Sequence, residues 1–172
     1  MMATLDKQRR KKLQKIVDSE YGYREYQDDD VEVKISGAVG LGVFAARQFA
    51  PGELIMEVTG QLMLKDAYEG SLFVMDLDDD YLMEPAVPAT FLNHSCNPNS
   101  DLVQLSDMTL GLVAVCNIEE GTEICFDYQW EAADWLPECG CGARNCRGWV
   151  VEEAGVKKMR RLTKNLSASK PR

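Results

Sequence analysis

Phe91-Leu92-Asn93-His94-Ser95-Cys96-Asn97-Pro98-Asn99 is the stretch whose reading decides the fold. It holds the only histidine of the 172 residues. It closes on Asn97-Pro98, turn formers that stop a helix or a strand. Cys96 has no cysteine beside it in sequence. Three others stand far downstream as Cys139-x-Cys141-x4-Cys146. Taken alone, a loop histidine is most often a hydrogen-bonded structural residue.

Outward from this stretch, length sets one domain with short extensions. An apolar share of 45% is ordinary for a globular core. No apolar run approaches about 18 residues, so no membrane helix is expected. The first residues are charged and lack an apolar signal region, so secretion is not expected. The tight cysteine spacing then reads as metal ligation in a reducing compartment, not as disulfides. The net charge of −9 is uneven. Residues 21–156 carry 6 bases against 25 acids, a net of −19, while residues 157–172 carry seven Lys/Arg and no acid. An acidic body repels nucleic acid and attracts lysine-rich partners; the bland alternative is a solvated surface.

Along the chain, Leu5, Leu13, Ile16 and Val17 predict an amphipathic helix over 5–20, with a basic run Arg9-Arg10-Lys11-Lys12. An acidic linker follows to 30. Val31, Val33 and Ile35 alternate with charges, as in a half-buried strand. Gly40-Leu41-Gly42 reads as a bend or a place of close backbone approach. Ile55 to Leu64 reads as a strand pair turning at Gly60. Asp76-Leu77-Asp78-Asp79-Asp80 reads as a hairpin tip or a receiver of a basic peptide, and Tyr81 to Glu84 as a strand ended by Pro85 and Pro88. Asp101 to Leu105 and Leu110 to Val115 predict an antiparallel pair. Cys116 and Cys125 sit in apolar contexts and read as packing residues. Residues 138–150 are too poor in large apolar side chains to be held by a core. The tail reads as a short helix with a basic end.

Asn93-His94-Ser95-Cys96-Asn97-Pro98-Asn99, followed by Gly121-Thr122-Glu123-Ile124-Cys125-Phe126-Asp127-Tyr128, resembles the core signature of SET-domain protein lysine methyltransferases. Cys139-x-Cys141-x4-Cys146 resembles that family's post-SET zinc module. The resemblance covers about residues 31–150 and implies a mostly β fold. That fold has several short antiparallel sheets with a pseudoknot, a small zinc-bound post-SET loop and short terminal helices. The divisions are 1–30 for the N-terminal helix and linker, 31–134 for the SET domain, 135–150 for the zinc segment and 151–172 for the basic tail.

The resemblance also implies roles. Tyr128 is the catalytic tyrosine, and Phe126 stands where the family sets the number of methyl groups added. Gly40, Leu41, Gly42, Asn93, His94, Tyr128 and Trp149 are implied to meet S-adenosylmethionine. Phe91, Phe126, Trp130 and Tyr81 are candidate walls of the lysine channel, and core packing is the plain alternative for each. A structural zinc ion wants four ligands; Cys139, Cys141 and Cys146 leave one place, for which Cys96 is the natural donor. The plain alternative is free thiols in a mobile loop. The sequence departs from the family pattern at Val58, Gln61 and Thr90. The missing channel tyrosine leaves Tyr68 or Tyr81 as a substitute, or a differently shaped channel.

The expected function is S-adenosylmethionine-dependent methylation of lysine in a basic protein, a histone tail first, with di- or trimethylation favoured. The rivals are a silent SET module that binds a peptide or scaffold, and a methyltransferase of a non-histone protein. The expected location is nuclear in a eukaryote and otherwise cytoplasmic. No membrane contact is expected, and nucleic acid only through the basic termini.

Overall fold

A computed structural model describes residues 30–37, 40–68 and 74–168. The expected N-terminal helix, nearly all of the acidic linker and the last four residues lie outside them. The described part is mostly β, with ten short strands and one long helix. Three small sheets make up the body. The first has the order β1 (Val31–Ser36), β2 (Gly40–Ala45), β10 (Glu123–Phe126) and β7 (Asn93–His94). The second is β3 (Leu54–Val58), β9 (Thr109–Ala114) and β8 (Ser100–Ser106). The third is β4 (Gly60–Leu64), β6 (Tyr81–Pro85) and β5 (Met75–Asp76). Every strand pair is antiparallel except β7 with β10, which run parallel.

The sheets close on one apolar core. Val43, Phe49, Val58, Met83, Leu112, Ile118 and Ile124 are all fully buried in it. At its edge the Arg47 guanidinium forks onto Asp30 at 2.7 and 2.9 Å and reaches Glu53 at 2.7 Å. The same guanidinium lies 4.1 Å from the Phe49 ring centroid. This cation ties the start of β1 to the start of β3. A second, smaller core holds Ala132, Leu136, Val151 and Met159, with Trp130 and Trp149 packed against it. It seats α1 (Val156–Ala168), which a single turn of 3-10 helix, Glu153–Gly155, introduces.

The antiparallel pair predicted from Asp101 to Leu105 and Leu110 to Val115 is β8 with β9, paired from Ser100↔Ala114 to Ser106↔Thr109. Tyr81 to Glu84 is β6, and Asp78 caps the tip before it by accepting from the Asp80 and Tyr81 amides at 2.8 and 2.7 Å. Three expectations fail. The alternation in β1 buries Val31, but Val33 is 37% and Ile35 79% exposed. All three share a face with their partners Ala45, Val43 and Leu41, and that face leaves the core toward the hairpin tip. Ile55 to Leu64 does not form a hairpin: β3 pairs with β9 and β4 pairs with β6. Thr59 alone separates the two strands, too short a link to reverse the chain, so the backbone turns from one sheet into another. Cys116 is exposed, because it follows the end of β9 and escapes the sheet.

Gly60 is required at that corner. A Cβ there would overlap the Glu84 carbonyl of β6, a backbone atom with no room to give. Gly60→Ala should therefore destabilise the fold by about 2 kcal/mol, as overpacking does. Chemical denaturation measures this, and an unchanged midpoint would contradict the assigned packing.

Candidate functional site

The site grows from the parallel pair. Asn93 stands opposite Cys125 and His94 opposite Phe126. Beyond β7 the backbone stays stitched to β10, the Ser95 amide donating to the Phe126 carbonyl at 3.1 Å. Asn99 then acts as a piece of ladder. Its amide nitrogen Nδ2 donates to the Glu123 carbonyl at 2.8 Å, and its Oδ1 accepts from the Cys125 amide at 2.9 Å. The fully buried Ser100 donates its hydroxyl to the Cys125 carbonyl at 2.9 Å. Side chains thus satisfy backbone groups where a two-residue strand cannot.

On one side of this seam, Asn93 Nδ2 donates to the Leu41 carbonyl at 3.0 Å and to Glu123 Oε1 at 2.7 Å. Ser36 donates to the other Glu123 oxygen at 2.7 Å. The carboxylate is held directly over Gly42, where any Cβ would overlap it. Gly42, Leu41 and Asn93, each implied by the resemblance to meet S-adenosylmethionine, lie side by side here. Glu123 is the group that organises them, and sequence reading passed over it inside the Gly-x-Glu-Ile element. Its signal was a lone acid at the start of an otherwise apolar strand.

His94 turns the other way. Its side chain is 6% exposed. Nδ1 accepts the Tyr128 amide at 3.2 Å, which places the ring proton on Nε2, 3.3 Å from the Cys96 sulfur. Burial holds its pKa below the usual histidine value, so the ring is neutral. Asp127 lies 3.5 Å from Nδ1, but the Tyr128 amide already occupies that lone pair.

Across the seam lies an apolar cleft of about 180 Å³. Phe126, Tyr128 and Trp130 line one wall, with Met75, Leu92 and Leu102 among the others. The Tyr128 ring centroid is 4.9 Å from Phe126, 5.3 Å from Trp130 and 5.3 Å from His94. Its hydroxyl donates to the Leu92 carbonyl at 2.6 Å. Burial pushes the phenol up to about 12, so it stays protonated at neutral pH. Asp76 also lines the cleft; 80% exposed and 2.6 Å from Lys65, it marks the rim. The other two expected wall residues lie elsewhere. Tyr81 is 2% exposed in the core and Phe91 packs against that core; neither lines the cleft. Tyr68 does not line it either, and Val58 is wholly buried in the core.

The third part is the cysteine arm. Its backbone is folded by the Cys139 amide on the Gly148 carbonyl at 2.9 Å and the Cys146 amide on the Ala143 carbonyl at 3.0 Å. The Cys96 and Cys139 sulfurs are 3.8 Å apart, and Cys141 and Cys146 interact with the same group. Burial raises the Cys96 and Cys139 thiols. At Cys141 burial acts the same way, but backbone amides and the neighbouring thiols outweigh it and bring the thiol down to about 6. Backbone amides of Arg147 and Gly148 point at the Cys96 and Cys146 sulfurs at 3.4 and 3.5 Å. Such a cluster suits a divalent soft cation, which compensates several thiolates at once.

His94, Cys96, Cys139 and Cys141 also bring their ligand atoms within 4.8 Å of one another. His94 is the poorer fourth donor. With Nδ1 accepting an amide proton, a ligating Nε2 would leave the ring with no proton at all. Cys146 has no such conflict.

Arg147 locks the arm to the seam. Its two terminal nitrogens fork onto the Asp127 carboxylate at 2.7 and 2.6 Å, both side chains being 15% exposed. Asp127 immediately precedes Tyr128, so the fork joins the cysteine arm to the cleft wall. Trp149, expected beside a cofactor, packs in the second core with Trp130.

A family model described as SET domain matches residues 40–129, more than half of the chain. The chain belongs to the SET-domain family. The chain is 32% identical over 132 residues to Histone-lysine N-methyltransferase Set2 of Drosophila melanogaster, covering 66% of this chain and 6% of that protein. It is 30% identical over 139 residues to Histone-lysine N-methyltransferase NSD3 of Mus musculus, covering 70% of this chain and 10% of that protein. The chain thus spans 10% or less of these relatives. Among solved structures, KRYPTONITE in complex with mCHH DNA, H3(1-15) peptide and SAH is similar in fold. Its TM-score is 0.59 at 22% identity, over 70% of this chain and 29% of that one.

Asp127 and Arg147 should be energetically coupled. In a double-mutant cycle with Asp127→Asn and Arg147→Gln, a bidentate, largely buried fork should give a coupling of about 1–3 kcal/mol. Hydrogen exchange should quicken in residues 138–150 in either single variant, with β8 and β9 unchanged. Additive effects of the two substitutions would separate the arm from the seam.

Proposed function

We propose that the protein is an S-adenosylmethionine-dependent protein lysine N-methyltransferase. The observation that carries the reading is the aromatic cleft that ends on a fixed, protonated Tyr128 at the seam. Histone-lysine methyltransferase relatives support the same activity. S-adenosylmethionine, when bound, supplies a methyl group on a sulfonium. The residues fit such a ligand. Glu123 and the Leu41 carbonyl, both held by Asn93, gather acceptors around Gly42, suited to the ammonium of an amino-acid headgroup.

The rest is done by this chain. The cleft desolvates a lysine side chain, and an apolar surrounding lowers an amine pKa from about 10.4 toward the neutral nucleophile. Phe126, Tyr128 and Trp130 fix its approach, and alignment of this kind supplies much of the rate of a displacement. Tyr128 spends its proton on the Leu92 carbonyl, which leaves its oxygen lone pairs as acceptors for weak C–H contacts. A phenol raised to about 12 is no general base, so its role is orientation.

The substrate is a basic protein segment, a histone tail first. The acidic body favours a cation. In a eukaryotic cell that substrate places the protein in the nucleus. Cys96, Cys139, Cys141 and Cys146 hold one zinc ion. A closed four-sulfur site is structural and leaves no position for chemistry.

Phe126 favours more than one methyl transfer. It is buried, lies against Tyr128 and has no hydroxyl to anchor a water beside the amine. Val58 does not enlarge the cleft, because it faces the core.

Turnover, product analysis and metal content test this. Incubation with labelled S-adenosylmethionine and a panel of histones and basic proteins should label lysine as di- or trimethyl-lysine. Tyr128→Phe should keep cofactor affinity and lose most of the rate, and Phe126→Tyr should shift products toward mono- or dimethyl. Full turnover by Tyr128→Phe, or a wild-type reaction halting at monomethyl-lysine, would reject the respective role. For the metal, elemental analysis should find about one zinc per chain. Chelation should free the arm 138–150 and stop turnover while the β core stays folded. Active protein without zinc would reject the site.

A further inference from the structure

The helix α1 carries a charge pattern that the methyltransferase reading does not use. Lys157, Lys158, Arg160, Arg161 and Lys164 are all exposed. At 3.6 residues per turn they fall within one arc of about 160°. Among the described residues Lys157, Lys158, Arg160 and Arg161 make no ion pair. The opposite arc is apolar and already spent. Met159 is 1% exposed, and Val156 and Leu162 pack with it against Ala132, Leu136 and Val151.

The geometry points to α1 as a docking face for the phosphate backbone of duplex nucleic acid. Residues 157–172 hold seven cations and no acid, whereas residues 21–156 have a net charge of −19 and repel a polyanion. A regular cationic face with no apolar side to insert suits phosphates along a duplex better than a membrane. Interfacial helices bind membranes by burying the apolar face that α1 has already given to the protein.

Position gives the face its use. The core that seats α1 also holds Trp130, which lines the cleft and lies 5.3 Å from Tyr128. A duplex held on α1 is therefore held at a fixed place relative to the cleft. A basic tail attached to that duplex would reach the cleft at raised effective concentration. This consequence rests on the methyltransferase reading; the docking itself does not.

The test uses the full chain and a fluorescent 20-base-pair duplex read by anisotropy. Lys157→Gln, Lys158→Gln, Arg160→Gln and Arg161→Gln combined should weaken binding at least about tenfold. The plot of log affinity against log salt should flatten by about 0.9 for each phosphate that is no longer neutralised. The melting temperature should not move, since these side chains are exposed. The comparison variant, Arg9, Arg10, Lys11 and Lys12 each to Gln, should retain most of the affinity. Loss of binding in the comparison variant alone, or equal binding by wild type and the α1 variant, overturns the proposal. So does tighter binding to phosphatidylserine vesicles than to the duplex. In turnover assays the α1 variant should match wild type on a free tail peptide and fall about tenfold on nucleosomes. Wild type inactive on every peptide would reject the methyltransferase reading, and anisotropy would still decide the docking.

Discussion

The parallel pairing of Asn93–His94 with Cys125–Phe126 is the constraint on which the other parts depend. Two residues of strand offer few backbone bonds, and parallel pairing of distant segments is costly in chain entropy. The Asn99 side chain, the Ser95 amide and the Ser100 hydroxyl make up the deficit. Once the seam is closed, its residues have no freedom to choose their side. Asn93 faces Gly42 and Glu123, His94 faces Cys96, and Phe126 and Tyr128 face the cleft. Three chemical environments, one polar, one sulfur-rich and one apolar, meet within a few residues because one short pair separates them.

The same geometry explains why the cysteine arm is held where it is. Cys96 leaves the seam and meets Cys139, and Arg147 returns to grip Asp127 one residue before Tyr128. The arm has little core of its own, so its position is fixed by sulfur and by charge. An ion pair this well enclosed costs much to break once one partner is removed, because the other charge is left stranded. The arm and the cleft wall therefore move together or not at all.

Much of this was legible in the sequence, for different reasons in different places. The Asn93 to Asn99 and Gly121 to Tyr128 segments were found because their chemistry is concentrated in unusual residues at fixed spacing. The β8–β9 pair was found because two apolar-rich runs, Asp101 to Leu105 and Leu110 to Val115, are separated by a short link. Periodicity misled at β1, where Val33 and Ile35 have the pattern of a buried face but lie where the hairpin runs beyond the core. It misled again at Gly60, which marks a corner between sheets and not a hairpin, a distinction that requires knowing the partner strands. The partners of Glu123, Asp127 and Arg147 went unread because a single charged residue has no period. Their meaning lies in what they face across 20 residues or more.

The clearest lesson concerns aromatic residues. Tyr81, Phe91, Phe126, Tyr128 and Trp130 look alike as candidate cleft walls, yet only the last three line the cleft. Tyr81 alternates inward along the central strand of its sheet, so its ring is consumed by the core. Phe91 ends a turn of 3-10 helix before the seam begins and packs against the same core. Phe126, Tyr128 and Trp130 instead occupy alternate positions as β10 leaves its sheet. Extended backbone sends every second side chain to one face, which accounts for Phe126 and Tyr128; Gln129 then turns the chain at a φ of 51°, and Trp130 meets Tyr128 at 5.3 Å. Three rings that follow the end of a strand, the third placed by the turn at Gln129, are therefore free to form a wall. The rings at Tyr81 and Phe91 are not, and the difference is set by where the sheet ends.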